Sequence, residues 1–307
     1  AKFAAATAEH FKDHAVLWEV WNEPNVRTFW RKDGLHNTHE FAEEYTALVK
    51  AVAPEVLRAD PNAFIMAGSV SNYWQPSYEW TESCFKLGIL ESGIRGWSVH
   101  PYGVKTPEEF SVGHKITRDL LKKYGAPDMP MLDTERGFSV EKHMGGGEVA
   151  NEGWAGGSAR NAHIYQAWYF VRQFMADQMH DVRLTIWYEW GGDQFGVKPP
   201  SGKRPIETAA KVLLKELDGY RYIERLKSDS DLDYLLVFED ADKNRKLVVW
   251  TAPPAGASPD ETRNHSVTVD GINGTFAIVD IAGKASTVEG NPLRLDLTGA
   301  PQYVTLS

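Results

Sequence analysis

A single cysteine, Cys84, stands among the 307 residues, so no intrachain disulfide can close and the chain suits a reducing or an oxidising compartment equally. Positive charge is scarce: 33 Lys and Arg against 42 Asp and Glu leave a formal net charge of −9. A nucleic-acid partner would need a basic face, and none is expected. Long apolar runs are missing too, with nothing approaching the roughly 18 residues of a membrane-spanning helix. The opening residues AKFAAATAEHFKDH read as an amphipathic helix with no signal-peptide cleavage site. No repeat of fixed period, low-complexity tail or long linker is present. The expectation is a soluble globular protein of one large or two ordinary domains, with its location left open between cytoplasm, periplasm and exterior.

Tryptophan, by contrast, is abundant. Eleven occur, and Trp21, Trp30, Trp74, Trp80, Trp154 and Trp190 sit beside Asn, Glu, Gly or Pro. Aromatic faces next to polar groups suit sugar stacking; they suit core and interface packing equally well.

Up to about residue 218, short apolar runs alternate with helical patterns, which predicts βα units on a parallel sheet. The expected strands are 16–21, 63–70, 96–100, 129–134 and 183–190. Asn37 with Glu40 forms a capping-box pattern before a helix carrying Phe41, Tyr45, Leu48, Val49, Val52 and Val56. Thr106-Pro107-Glu108-Glu109 predicts another helix start, and a long helix is expected from about Ser158 to His180. Beyond Gly219 the pattern becomes YLLVFED, KLVVWTA, HSVTVDG, TFAIVDI, LRLDL and QYVTL, separated by turn clusters. That predicts an antiparallel β-sandwich over 219–307, following an α/β domain over 1–218.

In βα architectures the functional side chains gather at the C-terminal ends of strands. Two strand ends here offer a glutamate, Glu23 in WNEPN and Glu135 in TERG. Carboxylates facing each other across a cleft are what glycoside hydrolysis needs, one to protonate the leaving oxygen and one to attack the sugar or activate water.

Trp21-Asn22-Glu23-Pro24-Asn25 resembles the signature ending the fourth strand of the (β/α)8 glycoside hydrolases of clan A, and Thr134-Glu135-Arg136-Gly137 that ending their seventh. His100-Pro101-Tyr102 is similar to the sixth-strand His/Tyr pair, and IWYEW (186–190) to the eighth-strand tryptophan region. The long helix and the trailing β-strands look most like family 39 and its family 5 neighbours. The resemblance implies a retaining β-glycosidase acting on β-linked oligosaccharides or glycans, with Glu23 as acid/base and Glu135 as nucleophile. It further implies that Asn22 binds the sugar 2-hydroxyl, Tyr102 hydrogen-bonds Glu135, His100 supports Glu23, and Trp190 or Trp187 forms a stacking floor. Neither metal nor organic cofactor is implied. Glu189 is open between sugar ligand and supporting charge.

A fourth-strand motif at residue 23 also implies that this α/β fold is a partial TIM-type barrel, strands four to eight. Its two open edges and uncovered inner face predict a homo-oligomer, most simply a dimer, that covers them; loss of an N-terminal fragment is the competing account. Two other functions are compatible with the residues: a carbohydrate-binding barrel remnant without full chemistry, and a serine esterase using Ser98 or Ser69. Gly145-Gly146-Gly147-Glu148, the alternating Asp229, Asp231 and Asp233, and the pair His36 and His39 read as surface features rather than phosphate or metal sites.

Overall fold

The protein is described from a computed structural model, covering residues 1–30, 38–140, 159–257 and 261–306. It forms two compact units. The first comprises Ala1–Val104, Phe110–Arg136 and His180–Ile186; the second comprises Lys105–Glu109, Gly137–Met179 and Trp187–Ser307.

Through the first unit run α1 (Lys2–Phe11), β1 (Leu17–Glu19), α2 (Arg27–Trp30), α3 (His39–Ala59), β2 (Phe64–Ser71), α4 (Gln75–Lys86), β3 (Gly96–His100), α5 (Phe110–Lys123) and β4 (Met131–Arg136). After α6 (Ala159–Met179), part of the second unit, the chain returns as β5 (Val182–Trp187). The sheet order is β1-β2-β3-β4-β5, and β1 to β4 pair in parallel. All five expected strands form. Helix α3 is capped by Thr38, whose hydroxyl accepts from the Phe41 N–H at 3.3 Å. The expected cap residue Asn37 lies outside the described residues, as do Gly145–Glu148, Trp154 and His36.

The sheet curls. Lying flat, β1 and β4 would stand about 14 Å apart, three strand spacings. Yet Thr134 Oγ1 of β4 reaches Glu19 Oε1 of β1 at 2.8 Å. The parallel sheet is therefore a half-barrel, and its concave face carries Glu19, Ser69, His100 and Thr134. Strands β2, β3 and β4 are buried almost throughout, whereas the edges β1 and β5 alternate with exposed positions. Leu17 on β1 is 45% exposed and Ile186 on β5 43%.

A bulge interrupts β2. Met66 and Ala67 pair with Gly96 and Trp97, then the register shifts so that Val70 and Ser71 pair with Val99 and His100. Gly68 and Ser69 together face the single residue Ser98. Gly68 has φ +118°, and a Cβ there would stand 2.4 Å from the Ser98 carbonyl oxygen, so only glycine fits.

The second unit holds α6, α7 (Pro205–Leu217), β6 (Arg221–Arg225), β7 (Asp233–Glu239), β8 (Arg245–Thr251), β9 (His265–Val269), β10 (Gly274–Asp280), β11 (Ala285–Gly290), β12 (Leu293–Leu297) and β13 (Gln302–Thr305). Six strands form one antiparallel sheet in the order β11-β10-β13-β8-β7-β6, and β12 pairs with β9. Strand alternation sorts its two cores. Tyr234, Leu236, Phe238, Val248 and Trp250 face residues of α6 and α7; Leu235, Val237, Leu247 and Val249 face Val269 of β9 and Leu293 and Leu295 of β12. Both α6 and α7 thus share a core with the antiparallel sheet.

Candidate active site

The concave face of the half-barrel ends in a cluster built almost wholly from strand termini. Just past β1 the chain leaves the extended conformation, with Trp21 at φ 71° and Glu23 at φ 45°, both in the left-handed region that non-glycine residues seldom adopt. What holds this loop is a set of bonds to the end of β2. Asn25, fully buried, donates to the Ser71 carbonyl at 2.9 Å and accepts from the Ser71 N–H at 3.0 Å. The Glu23 N–H donates to Ser69 Oγ at 3.2 Å. The bulge aims that hydroxyl inward, with the Ser69 N–H held on Ser98 Oγ at 2.8 Å. Tyr45 of α3 clamps both pieces: its hydroxyl donates to the Val20 carbonyl at 3.0 Å and accepts from the Gly68 N–H at 2.9 Å.

Glu23 is buried at 7% exposure, and its Oε1 lies 3.0 Å from His100 Nδ1. His100, at the end of β3, is 1% exposed; its Nε2 is 3.1 Å from both Ser69 Oγ and Thr134 Oγ1. Glu135, at the end of β4, is half-buried and accepts from the Tyr102 hydroxyl at 3.1 Å. The Arg136 guanidinium lies 4.7 Å from the centre of the Tyr102 ring, a cation–π contact that fixes the phenol. One carboxylate oxygen of Glu23, one of Glu135 and a ring nitrogen of His100 all lie within 4.8 Å of one another. Two carboxylates this close fit direct attack on a sugar carbon, for which the carboxyls stand about 5–5.5 Å apart; the inverting arrangement needs about 6.5–9.5 Å for a water.

Burial raises the pKa of Glu135 above the usual carboxylate range; His100 pulls the other way, and the charge of Glu23 pushes it further up. Burial, followed by the charge of Glu135, pushes the Tyr102 phenol far up, so it stays protonated as a donor. Glu23, His100 and Glu135 could also furnish three ligand atoms to a metal ion. In this geometry, however, both His100 nitrogens already face hydrogen-bond partners.

Of the residues anticipated from sequence, Glu23, His100, Tyr102 and Glu135 come together. Asn22 is exposed on the same loop as Glu23. Trp187 and Trp190 belong to the second unit: Trp187 packs on Phe170 and donates to the Phe195 carbonyl at 2.9 Å, while Trp190 is 71% exposed. Trp80 is core, 1% exposed and 5.5 Å from the Tyr45 ring. Asp233 accepts from the Ser228 hydroxyl at 2.6 Å and faces His265 at 3.1 Å, a loop anchor. Sequence reading missed Glu19, Thr134 as a partner of His100, and Arg136. The available signal was Glu19 itself, an acidic residue inside an otherwise apolar strand, four positions before Glu23.

No protein-family profile matches the chain, and no curated protein matches it in sequence. Solved structures do match in fold. A family 39 glycoside hydrolase from the gut symbiont Bacteroides cellulosilyticus WH2 superposes with a TM-score of 0.70 at 20% identity, over 100% of this chain and 61% of that one. The fold is similar to that of this glycoside hydrolase. A monomeric β-xylosidase from Caulobacter crescentus CB15 follows at 0.61 and 15% identity, over 99% of this chain and 73% of that one. A family 51 arabinofuranosidase from Xanthomonas axonopodis pv. citri gives 0.61 and 11%, over 100% and 73%. These neighbours agree with the clan A resemblance of the WNEPN and TERG motifs. The chain spans 61% of the length of the first of these glycoside hydrolases.

Proposed function

We propose that the chain is a retaining β-glycoside hydrolase acting on β-linked oligosaccharides or glycans. Glu23 is the general acid/base and Glu135 the nucleophile. The observation that carries this reading is the approach of the two carboxylates to within 4.8 Å on one concave face. In the first step Glu135 attacks the anomeric carbon while Glu23 gives its proton to the departing oxygen. In the second, Glu23 takes a proton from water, which displaces Glu135. Asn22 holds the 2-hydroxyl and Tyr102 orients Glu135. We further propose that a second copy of the chain covers the β1 and β5 edges.

The esterase reading has a specific feature in its favour: Ser69, His100 and Glu23 form a Ser-His-Glu chain of hydrogen bonds. Against it, Ser69 is completely buried and its oxygen accepts the Glu23 amide, leaving no path for an ester carbonyl. The test is hydrolysis of a panel of aryl β-glycosides by wild type, Glu23→Gln and Glu135→Gln. Loss of at least about 10³-fold in kcat for Glu135→Gln is expected. Equal turnover by wild type and Glu135→Gln, or sugar binding without turnover by either, contradicts the proposal.

A further inference from the structure

Glu19 is an acidic side chain that the two-carboxylate chemistry leaves unused, yet it is wired to the site. Its Oε1 accepts the Thr134 hydroxyl proton at 2.8 Å. A threonine hydroxyl has one proton, so towards His100 Nε2, at 3.1 Å, Thr134 Oγ1 can only accept. That contact is a hydrogen bond only when Nε2 carries a proton. Nδ1, 3.0 Å from Glu23 Oε1, then presents a lone pair to Glu23 rather than an N–H. We infer that Glu19 is a positioning residue for the acid/base: through Thr134 it fixes the His100 tautomer that keeps the proton on the Glu23–His100 pair.

Consider the two tautomers. With Nδ1–H, the imidazole would donate to the Glu23 carboxylate and stabilise its deprotonated form. With Nε2–H, a deprotonated Glu23 would meet a lone pair, so the line between Glu23 and Nδ1 holds a proton, and that proton is the one required by the leaving oxygen. Glu135 of β4 also faces the pair, with the Tyr102 hydroxyl bonded to it, and neither is hydrogen-bonded to Nε2. Ser69, the remaining neighbour of Nε2, accepts the Glu23 amide; its own hydroxyl proton, donated to Nε2, would select the opposite Nδ1–H tautomer, so the imidazole tautomer decides between Thr134 and Ser69 as the partner of Nε2.

This inference rests on the glycosidase reading for its kinetic consequence, but the tautomer is measured independently. In ¹⁵N-histidine-labelled wild type, the His100 resonances are expected to report Nε2–H. In Glu19→Leu and Thr134→Val the Nδ1–H form should gain population, and Thr134→Ser should restore the wild-type pattern. In hydrolysis of an aryl β-glycoside, the alkaline limb of kcat/KM should move about one pH unit lower in Glu19→Leu and Thr134→Val, and stay in place in Thr134→Ser. An Nδ1–H tautomer in wild type overturns the inference, and so does a fall in kcat with the alkaline limb unmoved. If the tautomer responds as stated while wild type hydrolyses no glycoside, the relay stands and the glycosidase reading falls.

Discussion

Glu135 carries the clearest electrostatic signature in the site. Its pKa is raised, first by burial, while the reaction needs it ionised. Activity should therefore fall, as pH decreases, at a higher pH than an ordinary glutamate near 4.3 would set, and the acid limb of kcat/KM measures this. Tyr102→Phe removes a hydrogen bond to the ionised form, so it should move that limb higher still and lower kcat/KM about ten-fold. The stability sign runs opposite to the catalytic one. A carboxyl with a raised folded-state pKa stabilises the fold when protonated, and loses that contribution as pH rises through the folded value. Glu135→Gln should then raise the melting temperature at neutral pH, with the gain vanishing below about pH 4; calorimetry at the two pH values checks it. The four gathered site residues were legible because each belongs to a contiguous motif at a strand end. Glu19, and Thr134 as a partner of His100, were not, because glutamate and threonine at strands have many ordinary roles. What gives them meaning here is curvature: Glu19 and Thr134 meet only because the sheet curls.

Among the elements, the β2 bulge does most to shape the site. It turns Ser69 towards Glu23 and His100 at a glycine whose missing Cβ makes room for the Ser98 carbonyl. Gly68→Ala should destabilise the protein by about 2 kcal/mol or more and lower activity with it, measured by denaturant unfolding alongside turnover. The positions of β2, β3 and β4 were legible as short apolar runs because both of their faces are buried. β1 proved shorter than its apolar pattern, ending at Glu19 where the backbone turns towards the left-handed Trp21. β6 and β11 escaped notice altogether. They are the two edges of the six-stranded sheet, with mostly exposed side chains in RYIER and ASTVEG, so neither shows the alternation that marks a half-buried strand.

At the largest scale, β1 and β5 are the outermost strands of the parallel sheet among the described residues, and they carry exposed Leu17 and Ile186. Such edges recruit further strands or chains. Multi-angle light scattering at micromolar concentration should give a dimer, and a stable monomer would remove the proposal of a covering second copy. The alternation of strands and helices was readable from periodicity, but the membership of α6 and α7 in the second unit was not, since their apolar faces carry no label of the sheet they will cover. The central claim, a nucleophilic Glu135 served by Glu23, is tested most directly by trapping. Incubation with a panel of 2-deoxy-2-fluoro β-glycosides bearing good leaving groups, followed by peptide mass spectrometry, should find one glycosyl adduct on Glu135 in wild type and none in Glu135→Gln. Absence of any adduct across the panel, or an adduct on another residue, would contradict the account.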